Sequence, residues 1–183
     1  MQFSLNQEPE IIRHIIEDDG VFPNSALFIL IYKKAFTFPV EEKSYDKNDA
    51  AEAIEDILSK NNWTNSWRNG VYEYHHYHSN THEVLGVYEG STAVQLGGPK
   101  GIIEQIEKGD IIIIPAGVAH RNVSPEKDFK CVGAYPDGRV CDIKKGDPTD
   151  RPVSDEAIKN IPLPETDPVY GITGPLITHW EMQ

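Results

Sequence analysis

The spacing of apolar positions changes more than once along this chain. Between residues 7 and 18, Ile11, Ile12, Ile15 and Ile16 recur at i, i+1, i+4 and i+5. That pattern predicts one face of a short amphipathic helix, with Pro9 in its first turn and Gly20 and Pro23 ending it. Ala26 to Tyr32 is apolar and β-branched and reads as a strand. From Asp46 to Asn62 a helical period returns, with Ala50, Ala53, Ile54, Ile57 and Leu58 on one face and Asp49, Glu52, Glu55 and Asp56 elsewhere. Asp46 or Asn48 is placed to cap it. Trp63 and Trp67 follow and read as core anchors between this helix and the strands beyond.

From Val71 onward, short runs rich in Val, Ile and Tyr are separated by Gly, Asn and Ser. They predict strands near 71–78, 82–88, 91–97, 101–107, 110–114, 119–123 and 128–135. Turns are expected at Ser79-Asn80, Glu89-Gly90, Gly97-Gly98, Lys108-Gly109 and Pro115-Ala116-Gly117. Many short strands at this spacing predict an all-β barrel or sandwich. Beyond Asp137-Gly138, six prolines (Pro148, Pro152, Pro162, Pro164, Pro168 and Pro175) predict an extended wrap. One short helix is expected near Ser154–Asn160, capped by Ser154. This C-terminal part has no core of its own. With 183 residues, the chain reads as one domain. Residues 1–69 form its N-terminal strand and helices, 70–136 its barrel core and 137–183 its C-terminal wrap.

Composition narrows the partners. Hydrophobic residues are 39% and charged residues 25%, a globular balance. The formal charge of -12 repels nucleic-acid phosphates and anionic lipid, and no basic run opposes it. No apolar run is long enough to span a bilayer. The first residues lack the basic-then-apolar pattern of a secretory signal, so a cytoplasmic location is expected. Cys131 and Cys141 lack C-x-x-C spacing and read as reduced thiols, at least one of them in a buried strand.

Candidate chemistry is concentrated between residues 70 and 83. On a strand, alternate residues share a face. His76 and His78 therefore lie together, with Tyr72 and Tyr74, while His75 and Tyr77 point the other way. After a turn at Ser79–Thr81, Glu83 opens the return strand and comes back beside the two histidines. Two imidazoles and one carboxylate are a donor set suited to Fe(II), Mn(II) and related ions. Farther on, Gly109 and Pro115-x-Gly117 bracket a buried strand, and His120 opens the next one to complete the set. An alternative set of His78, His82 and His120 requires a bulge near the turn. Tyr72 and Tyr74 are either barrel packing or phenols acting as donor or proton carrier. Asn122 shares the His120 face as a substrate contact, and Arg121 faces out.

These residues resemble the two motifs of the cupin superfamily. Gly70, His76, His78, Glu83 and Gly90 meet the spacing of the first motif; Gly109, Pro115, Gly117 and His120 meet the second. The second motif's closing asparagine is Ser124 here, with Asn122 nearby, a departure that falls outside the ligand shell. The whole chain, with its Ala134-Tyr135-Pro136-Asp137-Gly138 turn, further resembles the YjlB-like bacterial cupins. The resemblance implies a small double-stranded β-helix (a jelly-roll barrel) holding one divalent metal ion, Fe, Mn, Ni or Zn. It implies a small-molecule ligand and a homodimer formed through exposed strand edges. The expected function is a metal-dependent enzyme on a small polar organic molecule, of oxygenase, isomerase or decarboxylase type. The alternatives are a non-catalytic binding or sensing module and, disfavoured by the single acidic domain, a storage protein.

Overall fold

A computed structural model of the chain describes residues 3–38, 47–124 and 128–181. Its strands are β1 (Ser4–Leu5), β2 (Glu10–Ile16), β3 (Ser25–Lys33), β4 (Phe36–Thr37), β5 (Trp63–Asn69), β6 (Glu83–Glu89), β7 (Ser91–Leu96), β8 (Ile102–Glu107), β9 (Ile111–Ile114), β10 (His120–Asn122) and β11 (Lys130–Pro136). Its α-helices are α1 (Lys47–Lys60), α2 (Val153–Lys159) and α3 (Pro175–Glu181). Two antiparallel sheets, ordered β2-β3-β9-β6-β11-β5 and β10-β7-β8, form the walls of a double-stranded β-helix, and β1 pairs with β4 beside them.

The central strands of the larger sheet are buried on both faces, which explains their apolar runs. In β3, Ile29 and Ile31 point into the barrel, while Leu30 and Tyr32 point outward. In β9, Ile112 and Ile114 point inward and Ile111 and Ile113 outward. The inner residues meet Leu85, Val87, Val94, Leu96 and Ile106 in the barrel interior. The outer ones meet Ile54 and Leu58 of α1, Trp63, and Leu176 and Trp180 of α3. A Cβ on Gly86 of β6 would come within 2.8 Å of Ile54, so glycine there lets α1 lie close on the sheet.

The structure corrects four expectations from the sequence. Residues 10–16 form β2 and not a helix. Its isoleucines are β-branched and pair with β3, and the register shifts between His14 and Ile16. Ile11 packs on the outer layer and Ile12 and Ile16 on the inner one, so the irregular spacing is that of a two-faced strand with a bulge. Residues 71–78 are not a strand; isolated bridges tie His76 to His120 of β10 and Tyr77 to Lys144 of the C-terminal arm. Residues 63–69 follow α1 as expected and form strand β5, an element that the apolar pattern does not predict. The C-terminal wrap carries a second helix, α3, and α2 is preceded by Pro152 with no side-chain cap. Ser154 lies inside α2 with its hydroxyl buried and unpartnered among the described residues. Asp46, one of the two expected caps of α1, lies outside the described residues.

One buried carboxylate ties several parts of the C-terminal arm together. Asp167 is fully buried and accepts hydrogen bonds from the Tyr32 hydroxyl at 2.6 Å and from the backbone N–H groups of Val169, Tyr170 and Leu176. These bonds join β3, the arm and the start of α3.

Candidate metal centre

Backbone pairing brings the two histidine segments together. The N–H of His76 donates to the carbonyl of His120 at 3.2 Å, and the N–H of His120 donates to that of His76 at 2.9 Å. The N–H of Gly117 donates to the His78 carbonyl at 2.8 Å. Gly117 has φ +91°, a left-handed conformation that glycine adopts without strain, and this lets the Pro115–Gly117 turn close against His78. The rings of His76 and His120 are consequently 4.1 Å apart between centroids, and the donor nitrogens of His76, His78 and His120 all lie within 4.8 Å of one another.

Each imidazole is oriented by a backbone carbonyl. Nδ1 of His76 contacts the Tyr74 carbonyl at 3.2 Å, Nδ1 of His120 contacts that of Val118 at 3.0 Å, and Nδ1 of His78 contacts that of Asp142. A carbonyl only accepts, so each Nδ1 carries the proton and each Nε2 is turned to the common centre. Oε2 of Glu83 lies 3.2 Å from Nε2 of both His78 and His120. Glu83 is the first residue of β6 and its register partner is Ile114.

Facing nitrogen lone pairs and a carboxylate repel unless positive charge sits between them. A proton meets that need in part. Burial alone would lower His78, yet the Glu83 carboxylate raises it well above the ordinary imidazole value. Burial alone would raise Glu83, yet His78 and His120 hold it far below the ordinary carboxylate range. His76 is lowered to about 3, by burial and then by His120, and is neutral at physiological pH. A divalent cation meets the same need for the three imidazoles, whose donor nitrogens lie within 4.8 Å of one another; Glu83 stands beside two of them, His78 and His120.

The alternation at residues 75–78 holds although the segment is not a strand. His75 and Tyr77 turn away from the centre and pack on Phe22. His75 is thus covered by the N-terminal segment and not open to solvent on that side. His82 also turns away: its Nδ1 accepts from the Ala116 N–H at 3.0 Å and its ring lies 4.8 Å from Trp180. The alternative set built on His82 is not assembled.

Tyr72 and Tyr74 keep to the His76 side, their rings 5.2 and 5.6 Å from its ring, but residues 71–75 are loop and do not carry them into the barrel. Tyr72 and Tyr74 are 48% and 40% exposed and stack on each other at 4.9 Å. Tyr72 borders the mouth of the cavity above the histidines, while Tyr74 is outside the lining and carries the Lys145 ammonium over its ring. Asn122 does not reach the cavity. Its Oδ1 accepts from the Thr92 hydroxyl at 2.7 Å and from the Ser124 N–H at 3.0 Å, closing the turn where the motif departs from its usual ending. Arg121 is half-buried and donates to Gln95.

The cavity holds about 260 Å³, near the lower end of the range for organic ligands. His76, His78, Glu83 and His120 line it together with Trp67, Leu85, Tyr135, Cys141 and Ile143. Sequence reasoning missed Tyr135 and Cys141, and it placed Trp67 in the core. Nε1 of Trp67 donates to the Tyr135 hydroxyl at 2.8 Å, and Sγ of Cys141 lies 3.2 Å from the same oxygen. A hydrogen bond to His78 holds the Cys141 thiol below its ordinary value. The available signal was the position of Trp67 on β5, opposite Gly133 of β11.

Comparison with known proteins gives the family. Residues 63–135 match the family model described as Cupin. The chain is 38% identical to the uncharacterized protein YjlB of Bacillus subtilis (strain 168) over 174 residues, which cover 94% of this chain and 98% of YjlB. Among solved structures it is similar to acireductone dioxygenase from Bacillus anthracis, with 17% identity, a TM-score of 0.43, and coverage of 62% of this chain and 82% of that one. It is also similar to procruciferin, an 11S globulin from Brassica napus, with 20% identity, a TM-score of 0.36, and coverage of 44% of this chain and 21% of that one. With its histidine cluster inside a double-stranded β-helix and a relative matched over nearly its whole length, this chain belongs to the cupin family.

Proposed function

We propose that this protein is a metal-dependent enzyme acting on a small polar organic molecule, with His76, His78, His120 and Glu83 as the ligands of one divalent ion. The observation that carries the reading is the set of three Nδ1 contacts to backbone carbonyls. They commit each imidazole to the tautomer that presents Nε2, as in sites where a second partner orients the ligand. When bound, such an ion supplies a Lewis acid, or an O2-binding centre if it is iron. The chain contributes the rest. Trp67, Leu85, Tyr135 and Ile143 form walls that exclude bulk water, and Tyr72 borders the entrance. The Arg68 guanidinium is turned to α1 and paired with Glu55, so it does not neutralise an anionic substrate in the cavity.

Elemental analysis of anaerobically purified protein tests the reading. About one Fe, Mn, Ni or Zn per chain is expected, with loss of the metal in the His76→Ala and His120→Ala variants. Protein that arrives without metal and takes up none of these ions overturns it. Ligand binding without turnover of any small-molecule panel would instead favour a sensing module. We extend the proposal to a homodimer built on β2, which among the described residues pairs with β3 alone and lies at one edge of the larger sheet. Sedimentation analysis showing a monomer at all concentrations overturns that extension.

A further inference from the structure

Tyr135 forms part of the cavity wall. The residue is 4% exposed, sits on β11 and lines the same cavity as the three histidines, its ring 6.1 Å from that of His78. Its oxygen receives the indole N–H of Trp67 at 2.8 Å. An indole nitrogen only donates, so the phenol oxygen must accept there. The Cys141 thiol donates to the same oxygen at 3.2 Å. The Trp67 N–H fills one acceptor site, and the sulfur is only a weak hydrogen-bond acceptor, so the hydroxyl's own proton has no oxygen or nitrogen acceptor among the described residues. Arg68, the cation among the lining residues, is bound by Glu55 and does not compete for a ligand oxygen.

We infer that Tyr135 donates its hydroxyl proton in a hydrogen bond to an oxygen of the ligand lying over His76, His78 and His120, with Trp67 as its positioning residue. The site therefore selects small oxygen-bearing molecules, such as carboxylates, hydroxamates and enolates, over ligands that present a nitrogen and an N–H.

This inference rests on the metal reading, and the test separates the two. Wild-type protein, Tyr135→Phe and Trp67→Phe are loaded with Co(II), and uptake is measured by elemental analysis. Visible absorption then follows titration with acetohydroxamate, whose oxygens accept, and with imidazole, whose outer N–H donates. Equal Co(II) uptake by all three proteins is expected. Acetohydroxamate should bind Tyr135→Phe about tenfold more weakly, the size of one hydrogen bond to a charged acceptor, with imidazole unchanged. Trp67→Phe should show a smaller loss of the same selectivity. Should Tyr135→Phe fail to take up Co(II), Trp67→Phe decides by the same comparison. Equal loss of both probes, or of neither, overturns the role of Tyr135 while leaving the metal reading intact. Absence of Co(II) uptake by the wild type overturns both.

Discussion

Gly133 of β11 stands opposite Trp67 of β5, and a Cβ placed on Gly133 would fall inside the indole. The bare backbone is what lets the indole lie across the strand and reach Tyr135, farther along β11. Gly133→Ala forces the indole to move or the strands to part. Overpacking of this kind costs about 1–3 kcal/mol. Urea denaturation should show that loss, and the near-UV circular dichroism of the tryptophans should change with it. A variant with wild-type stability and an unchanged near-UV spectrum would show that the indole has another place to go.

The parts of the fold that follow simple alternation were legible in the sequence. The strands from β6 to β11 and helix α1 lie close to where their apolar periods placed them; the donor nitrogens of His76, His78 and His120 gather within 4.8 Å, and Glu83 lies beside His78 and His120. The failures have physical causes. Residues 10–16 pack isoleucines on both faces and are bulged at His14–Ile16, which mimics a helical spacing. Residues 71–75 carry aromatic side chains at alternating positions but make loop, so Tyr72 and Tyr74 lie at the surface. Tyr135, Trp67 and Cys141 meet only through the pairing of β5 with β11 and the loop that follows. No local spacing announces a contact of that kind.

Asp167 should be the main anchor of the C-terminal arm. Its carboxylate serves Tyr32 and three backbone N–H groups from a fully buried position. Asp167→Asn keeps the shape but replaces one acceptor oxygen by a donor, which then faces groups that also donate. Hydrogen bonds to a charged group are worth about 1.5–3 kcal/mol, so a loss of that order is expected in thermal or urea unfolding. Limited proteolysis should cut the variant first near residues 160–175. Cleavage at an unchanged rate would show that the apolar contacts of Leu176 and Trp180 hold the arm without the carboxylate.

His82 should make stability depend on pH. Burial, and then the charge of Arg139, lower it to about 4 from an ordinary value of 6.5. Below pH 6.5 the unfolded chain takes up a proton that the folded chain refuses. Stability contributed by the neutral ring is therefore present above pH 6.5 and lost as pH falls toward 4, by about 1.4 kcal/mol per pH unit. His82→Asn can keep an acceptor for the Ala116 N–H without titrating. It should be less stable at neutral pH, from lost packing on Trp180, yet show a flatter slope between pH 6.5 and 4. Parallel slopes for the two proteins would assign the dependence to other groups.

Metal binding should release a proton. Glu83 keeps His78 charged at neutral pH, whereas a ligand imidazole must present a free Nε2. A divalent ion entering the cluster displaces the proton that His78 shares with Glu83. Calorimetric titration with Zn(II) at about pH 7.5, in two buffers of different ionisation enthalpy, should report about one proton released per ion. In Glu83→Gln the charge that raises His78 is gone, so its proton is already lost at that pH. Release should then fall toward zero while affinity weakens, because one anionic donor is missing. Bound metal should also stabilise the fold, by about 2.7 kcal/mol at a free concentration of about 100 times Kd, and His120→Ala should lose that gain. Undiminished proton release in Glu83→Gln would mean that the proton comes from a group outside the His78–Glu83 pair.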